Sequence, residues 1–158
     1  GAILVDRGVF TRDEMSMQAI RGWMAGNEEQ ARELMWENQS FVFFREITDH
    51  HPSLGPPGAQ GVPLTPQRSL AVDRSLWTYG TPVWIETVRP ETGGPGLKPF
   101  RHLMVAQDTG SAIKGAVRGD VFWGSGDDAA RVAGQMKSPG RMVVLLPNRL
   151  ARRLASQP

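Results

Sequence analysis

Three aspartates of this chain, Asp73, Asp108 and Asp120, each follow a short apolar or β-prone run. A carboxyl group in an apolar setting keeps its proton to higher pH, and a protonated carboxyl group can act as a general acid. Breaking a glycosidic bond requires such an acid. We therefore predict that the three side chains lie at strand ends and face one cleft, where they would perform acid chemistry on a sugar.

Asp120 has the most informative neighbours, because the apolar segment 121–123 follows it and could favour its neutral form. Within that segment, Trp123 is a candidate for a cleft wall, since aromatic faces stack on sugars. The other two aspartates also have plain structural interpretations. Asp108 could close a turn with the residues after it, and Asp73 could form a surface ion pair with the arginine that follows or take part in a turn.

The segment 110–115 joins two predicted strands and is rich in small residues. Small residues allow backbone N–H groups to approach a ligand closely. Its candidate substrate-binding residues are Gly110, Ser111, Ala112 and Lys114. The phosphate-loop pattern is not matched, and a tight connection between strands is the alternative interpretation.

Several other kinds of chemistry lack support in the sequence. Cysteine is absent, which excludes disulfides and thiolate metal ligands. The three histidines, His50, His51 and His102, do not have the spacing of a metal site, so we predict neither a metal nor another cofactor. The formal net charge of +2 does not establish a nucleic-acid surface.

The elements that would position these residues are mostly short strands. A length of 158 residues fits one domain, and 18 glycines with 12 prolines favour a loop-rich β architecture. Two helices open the chain, one starting at a capping box over 11–14 and one starting at 27–30. Strands are predicted at 41–44, 69–72, 82–88, 102–106, 121–123 and 142–146, with a helix at 127–136.

These elements divide into four predicted segments. A helical lead-in covers 1–48, a loop rich in proline and glycine covers 49–66, a barrel domain covers 67–148, and a basic tail covers 149–158. Short strands around one helix indicate a compact, partly closed barrel.

Several segments, taken together, resemble the three-aspartate domain of the membrane-bound lytic transglycosylase A family. Order, spacing and flanking glycines agree over 61–65, 69–74, 80–83, 103–110, 112–115, 119–124, 126–127, 133–134 and 139–141. Upstream, the segment 38–45 resembles the stretch that precedes this domain in the family. The resemblance covers nearly the whole chain.

The resemblance implies a mainly β fold with flanking helices, in which a short helical segment precedes a six-stranded double-psi β-barrel. It also implies non-hydrolytic cleavage of the β-1,4 bond between N-acetylmuramic acid and N-acetylglucosamine in peptidoglycan, with a 1,6-anhydro product. By the same resemblance, Asp120 is the essential catalytic aspartate, Asp108 a supporting catalytic carboxylate and Asp73 a substrate-binding residue.

The implied partners are peptidoglycan glycan strands, a larger upstream β domain that is not in this chain, and cell-wall synthesis or remodelling complexes. The implied location is the bacterial envelope, at the periplasmic face of the outer membrane, with any lipid anchor outside this chain. The alternative is a carbohydrate-binding or expansin-like wall-loosening module without turnover, since fold does not determine function. A nucleic-acid-binding domain rests only on the isoelectric point and aromatic residues, and we predict no such partner.

Overall fold

The chain divides into two units, Gly1–Thr48 and Asp49–Pro158. They are seen in a computed structural model that describes residues 1–39, 43, 46–47, 51 and 53–156. The division falls at the start of the segment rich in proline and glycine. Most of the predicted strand at 41–44 lies outside the described residues.

The first unit is helical, with α1 (Ala2–Asp6), α2 (Met17–Gly26) and α3 (Glu28–Glu37). Leu4 and Ala31 are its buried apolar residues. An ion pair between Arg7, just after α1, and Glu37, at the end of α3, joins the two ends of the unit. The helix α1 was not predicted from the sequence.

The predicted capping box forms, but it does not start a helix. The Thr11 N–H donates to Glu14 Oε2 at 2.9 Å, and the Glu14 N–H donates to Thr11 Oγ1 at 3.4 Å. These bonds close an isolated turn. The helix α2 begins later, where the Ala19 N–H donates to Ser16 Oγ at 3.0 Å. A serine hydroxyl satisfies a free N–H group as well as threonine does, so the second cap defines the helix start.

The second unit is built on a mixed five-stranded sheet in the order β4-β1-β3-β2-β5. Only β1 and β3 are parallel, and the other neighbouring pairs are antiparallel. The elements are β1 (Ser69–Val72), β2 (Pro82–Pro90), β3 (Leu97–Asp108), β4 (Gly119–Val121), α4 (Asp127–Gln135), β5 (Gly140–Val144) and α5 (Asn148–Ala155).

Alternation along the strands fills one face of the sheet with apolar side chains. This core consists of Leu70, Val72, Val83, Ile85, Phe100, Met104 and Ala106, with Trp77, Val121, Trp123, Met142 and Val144 packed against it. Every strand of the sheet contributes to this cluster, which makes the sheet the framework on which the loops of this unit are held.

The predicted six-stranded double-psi β-barrel is not confirmed, because the described residues form five strands and the edge strands β4 and β5 are not neighbours in the sheet. A barrel closes only when its first and last strands pair. The predicted basic tail contains α5, whose residues are mostly exposed and whose leucines and arginines alternate with helical spacing.

The segment 53–65 is a loop fastened to the sheet by its backbone. The Gln60 N–H donates to the Gln107 carbonyl at 3.0 Å, and the Gly58 N–H donates to the Val62 carbonyl at 2.9 Å. Gly58 lies so close to β3 that a Cβ atom there would sit 2.6 Å from the Gln107 carbonyl oxygen. This contact excludes any side chain at position 58.

We predict that Gly58→Ala destabilises the second unit by about 1–3 kcal/mol, because the added methyl group would displace the loop from β3. Urea unfolding of both proteins measures the difference. Gly94→Ala is the matched control, since its Cβ would meet only the end of the Glu91 side chain at 3.9 Å. An unchanged midpoint for Gly58→Ala would contradict this packing.

His102 lies on the apolar face of β3, stacked on Phe100 with ring centroids 4.3 Å apart. Its Nδ1 atom is buried and has no hydrogen-bond partner among the residues that the structure describes. Burial lowers the pKa of His102, and the nearby Arg68 and Arg89 guanidinium groups lower the pKa further. The folded chain therefore favours neutral imidazole.

Because the folded pKa of His102 is below its ordinary value, the unfolded chain binds the proton more readily. Stability should therefore fall as pH drops below about 6.5, the ordinary histidine value. We predict that His102→Gln reduces this loss, measured by urea unfolding at about pH 8 and about pH 5.5. His51→Gln, at an exposed histidine, should lose as much unfolding free energy between the two pH values as the wild type does. If wild type and His102→Gln lose the same unfolding free energy between the two pH values, His102 is not the cause of the loss.

Candidate active site

A cavity of about 450 Å³ lies between the two edges of the sheet. Residues of β4 and of β5 both line it, so the sheet curls until its edges face each other across the cavity. The end of α4 and the residues after it supply another wall. The lining consists of Leu70, Ile85, Thr87, Val117, Arg118, Gly119, Asp120, Val121, Trp123, Ala133, Met136, Lys137, Ser138, Gly140, Arg141 and Met142.

Asp120 occupies the middle of β4, and its side chain is 52% exposed. Arg118 lies two residues earlier, in the loop just before β4. The Arg118 Nε–H donates to Asp120 Oδ1 at 2.9 Å. This ion pair holds the carboxylate in one orientation at the mouth of the cavity.

The aromatic residues after Asp120 are divided between the cavity and other parts of the fold. Trp123 lines the cavity as well as packing on the core, with its ring centroid 5.0 Å from that of Phe100. Phe122 does not line the cavity. The apolar enclosure that we expected around Asp120 is therefore wrong, because the carboxylate is half-exposed beside a guanidinium group.

Asp108 and Asp120 belong to one row across three strands. Ala71 of β1 pairs with Asp120 of β4 on one side and with Asp108 of β3 on the other. Two strand spacings put the Cα atoms of the two aspartates about 10 Å apart. The row lies at the end of the sheet where β1 and β3 finish.

Asp108 holds a loop and does not line the cavity. Its Oδ1 accepts a hydrogen bond from the Ala59 N–H at 3.0 Å, which fastens the 53–65 loop to the end of β3. The adjacent Thr109 Oγ1–H donates to the Val72 carbonyl at 2.8 Å, which fastens β3 to β1. The catalytic role implied for Asp108 stays a prediction.

Asp73 is buried, with 4% of its surface exposed. Its Oδ1 accepts bonds from the Ser75 N–H at 3.0 Å and the Ser75 Oγ–H at 2.7 Å, and its Oδ2 accepts the Gly115 N–H at 2.9 Å. These bonds lower the pKa of Asp73 to about 2, the Ser75 hydroxyl contributing most. Of the two structural alternatives for Asp73, the surface ion pair is wrong because the side chain is buried, whereas the turn is confirmed by the bond from the Ser75 N–H. The carboxylate also ties β1 to the loop that leads into β4.

The loop 109–118 presents its predicted binding residues away from the cavity. Ser111, Ala112 and Lys114 are exposed, Gly110 is half-buried, and none of them lines the cavity. The substrate-binding roles of this loop, and one cleft shared by the three aspartates, stay predictions. Of the predicted site residues, only Asp120 and Trp123 line the cavity.

Three cations at the cavity were missed from the sequence. Arg118, Lys137 and Arg141 line it together with Asp120, which is the only carboxylate among the lining residues that the structure describes. The signal for Arg118 was its position two residues before Asp120, within reach of an ion pair. Nothing local in the sequence indicated that the segment 137–141 would face β4.

Within the described part of the chain, no group of three or more histidine, aspartate or glutamate side chains is placed to hold a metal ion. None of its helices is long and apolar enough to cross a bilayer.

The arrangement is suited to proton transfer on a bound ligand. A cavity of this size accommodates a small ligand or part of a polymer. A carboxylic acid at its mouth is able to give a proton to a leaving oxygen and later accept one. A single carboxylate does not supply the acid and second carboxylate that most glycosidases use.

Two family models match the chain. One, described as a 3D domain, matches residues 68–146, which is half of the chain. The other, described as an MltA specific insert domain, matches residues 1–45. The chain belongs to the MltA family. The identification agrees with the resemblance seen in the sequence.

Curated members of the MltA family align with most of this chain. It is 39% identical over 148 residues to the membrane-bound lytic murein transglycosylase A of Vibrio cholerae, covering 90% of this chain and 38% of that protein. It is 40% identical over 148 residues to the Escherichia coli K12 protein of the same name, covering 92% of this chain and 39% of that protein. The chain spans about two fifths of the length of these relatives.

Solved structures of the MltA family share the fold. A membrane-bound lytic murein transglycosylase from Agrobacterium tumefaciens aligns over 96% of this chain and 41% of its own, at 40% identity and a TM-score of 0.77. The Escherichia coli MltA structure with bound chitohexaose aligns over 91% of this chain and 42% of its own, at 35% identity and a TM-score of 0.78.

We predict that Asp73→Asn destabilises this MltA chain at neutral pH, because an amide cannot accept all the bonds that the carboxylate accepts. The folded pKa of Asp73, about 2, is below its ordinary 3.8. Its stabilisation is therefore complete above about pH 4 and is lost as pH falls towards 2. The wild-type and Asp73→Asn unfolding curves should differ at neutral pH and converge near the acid end.

Urea unfolding across this pH range provides the measurement. Asp127→Asn, which changes an exposed aspartate in the first turn of α4, is the control. Its unfolding free energy should depend on pH as that of the wild type does. If the unfolding free energies of wild type and Asp73→Asn differ by the same amount at every pH, the ionised carboxylate does not stabilise the loop.

Proposed function

We propose that this chain carries the catalytic acid of a lytic transglycosylase that cleaves peptidoglycan between N-acetylmuramic acid and N-acetylglucosamine and forms 1,6-anhydromuramic ends. One observation carries the proposal. Asp120 is the only carboxylate among the described residues that line the cavity, in a chain whose relatives are named lytic murein transglycosylases.

The proposed reaction uses one carboxyl group twice. Protonated Asp120 gives its proton to the glycosidic oxygen as the bond to the muramic C1 breaks, and the N-acetylglucosamine end leaves with a free hydroxyl. The muramic C6 hydroxyl then bonds to C1 and loses its proton to Asp120. The acid is restored, and no water is consumed.

The physical reason for a single acid is that the nucleophile belongs to the substrate. The C6 hydroxyl is tethered to the ring that it attacks, and tethering gives a high effective concentration without a bound water. A hydrolase would need a second carboxylate facing the reacting bond to activate water or to attack C1. Asp108 is the nearest candidate in the row across the strands, but it does not line the cavity and it holds the Ala59 N–H.

The related structure with bound chitohexaose supports a glycan as the ligand class. Chitohexaose is a β-1,4-linked polymer of N-acetylglucosamine, and glycan strands of peptidoglycan have the same linkage. We extend the proposal to location and partners. The enzyme would act in the bacterial envelope, at the periplasmic face of the outer membrane. An upstream β domain would complete the groove that binds the glycan, and cell-wall remodelling complexes would be its protein partners.

We predict that Asp120→Asn lowers the rate of release of anhydromuropeptides from purified peptidoglycan by about 10²–10⁴-fold, the range for loss of a general acid. Far-ultraviolet circular dichroism should be unchanged, since the side chain is half-exposed. Asp127→Asn, at an exposed aspartate in the first turn of α4 that does not line the cavity, is the matched control and should keep the wild-type rate.

Liquid chromatography with mass spectrometry of the soluble products measures these rates. Wild-type rates in folded Asp120→Asn would eliminate Asp120 as the acid. Binding to peptidoglycan with no product from the wild-type chain would favour a carbohydrate-binding module instead.

A further inference from the structure

The helix α5 takes no part in the cavity or in the apolar core of its unit. It covers Asn148–Ala155, beyond the residues 68–146 that the 3D-domain model matches. All eight of its residues are described, and none of them is buried. A helix of this length is only marginally stable in water without packing. Its side chains are therefore open to a partner outside this chain.

Polar and apolar residues occupy separate halves of α5. At 3.6 residues per turn, each set falls within an arc of about 140°. The polar half consists of Asn148, Arg149, Arg152 and Arg153, and the apolar half of Leu150, Ala151, Leu154 and Ala155. Leu154 is 47% exposed, and Leu145 and Leu146, just before the helix, are exposed as well. Exposed leucines thus lie beside exposed arginines.

The part of the sequence that contains α5 is strongly basic. Residues 129–158 include six cationic residues and no acidic one, although the whole chain has a formal net charge of only +2. The six are Arg131, Lys137, Arg141, Arg149, Arg152 and Arg153. Among the described residues, no acidic side chain forms an ion pair with the three arginines of α5. Their charge is therefore available to an anionic partner.

The helix is held close to the sheet. The Leu145 N–H donates to the Pro82 carbonyl at 3.0 Å, which keeps the chain beside β2 until two residues before α5. The N–H groups of Leu150 and Ala151 donate to the Pro147 carbonyl at 2.9 and 3.0 Å, and these bonds define the start of the helix. The leucines and arginines are therefore presented at a defined place, next to the β5 edge of the sheet.

The two halves of α5 together indicate the kind of partner. Three exposed arginines attract anions, but a soluble polyanion would leave the leucines in water. The surface of a bilayer with anionic headgroups offers phosphates beside an apolar boundary, which suits a basic amphipathic helix. Arginine stems can lie along that boundary while the guanidinium groups reach the phosphates. Eight residues are too few to cross a bilayer, so the helix would lie along its surface.

We propose that α5, with Leu145 and Leu146, is a surface that binds bilayers containing anionic phospholipids. The arginines contact the lipid phosphates, and the leucines enter the boundary between headgroups and acyl chains. The proposal goes beyond the proposed function, because it assigns a lipid class and contact residues that take no part in cleavage. It concerns side chains of this chain and is separate from any covalent lipid anchor.

Flotation with vesicles tests the charge. Vesicles of phosphatidylcholine alone would be compared with vesicles that also contain phosphatidylglycerol. We expect the apparent affinity for the anionic vesicles to be roughly tenfold to a hundredfold higher, since each arginine near an anionic surface strengthens binding several-fold. Added salt should reduce this preference.

Arg149→Gln with Arg152→Gln and Arg153→Gln should abolish the preference for anionic vesicles. The matched control combines Arg21→Gln, Arg32→Gln and Arg101→Gln, which remove the same charge at exposed arginines outside α5. This control should retain most of the preference.

A second measurement distinguishes a bilayer from a soluble polyanion. The chain has no cysteine, so Ala151→Cys and Asn148→Cys each give one position for a polarity-sensitive dye. Anionic vesicles should shift the emission of the dye at position 151, on the apolar half, to shorter wavelength, and much less at position 148. Leu154→Ser should weaken vesicle binding although all three arginines are retained.

Equal affinity for the two vesicle types, no binding to either, or an undiminished preference in the triple arginine variant would overturn the proposal. Charge-dependent binding without an emission shift at position 151, and unaffected by Leu154→Ser, would assign α5 to a soluble polyanion and would also overturn it. None of these measurements involves peptidoglycan, so their outcome is independent of the proposed function.

Discussion

The buried carboxylate of Asp73 is the contact on which the position of β4 depends. A buried charge is tolerated only when hydrogen bonds replace its hydration, and both oxygens of Asp73 accept such bonds. One bond joins the end of β1 to Gly115, four residues before β4 begins. The Trp77 Nε1–H, which donates to the Ala116 carbonyl at 3.0 Å, supports the same loop. The loop can therefore deliver β4 to β1 in one register only.

That register determines the site. Pairing of Ala71 with Asp120 places the carboxylate in the middle of the edge strand β4. A slip of one residue would turn Asp120 to the other face. The cavity between the edges combines a single acid with an arginine that orients it. Its chemistry is thus a consequence of strand pairing and of one buried hydrogen-bonded carboxylate.

Local patterns were sufficient to predict part of the fold. The strand at 69–72 was predicted with the bounds that the structure has, and the helix at 127–136 within one residue, because apolar spacing defines each locally. The aspartate cap expected for the helix is not seen, since Gly126 precedes it and Asp127 and Asp128 lie in its first turn. The predicted strand at 102–106 was too short. Residues from Leu97 onward pair with β2, and that pairing, which local propensity does not show, extends the strand.

The site was less predictable than the fold, for a physical reason. Residue type identified Asp120 and Trp123 as candidates, and both line the cavity. Asp73 and Asp108 have the same residue type, but their hydrogen bonds to backbone N–H groups engage them in holding loops. Whether an aspartate faces a ligand or a backbone amide depends on contacts between residues far apart in the chain. The segment 137–141 comes to line the cavity for the same reason.

The central claim is that one carboxylate breaks the glycosidic bond while the substrate supplies the nucleophile. Digestion of purified peptidoglycan in water labelled with heavy oxygen, followed by mass spectrometry of the released muropeptides, tests it directly. The account predicts 1,6-anhydromuramic ends lighter by one water and free of the label. Reducing ends that carry the label at C1 would show that water is the nucleophile, and would contradict the account.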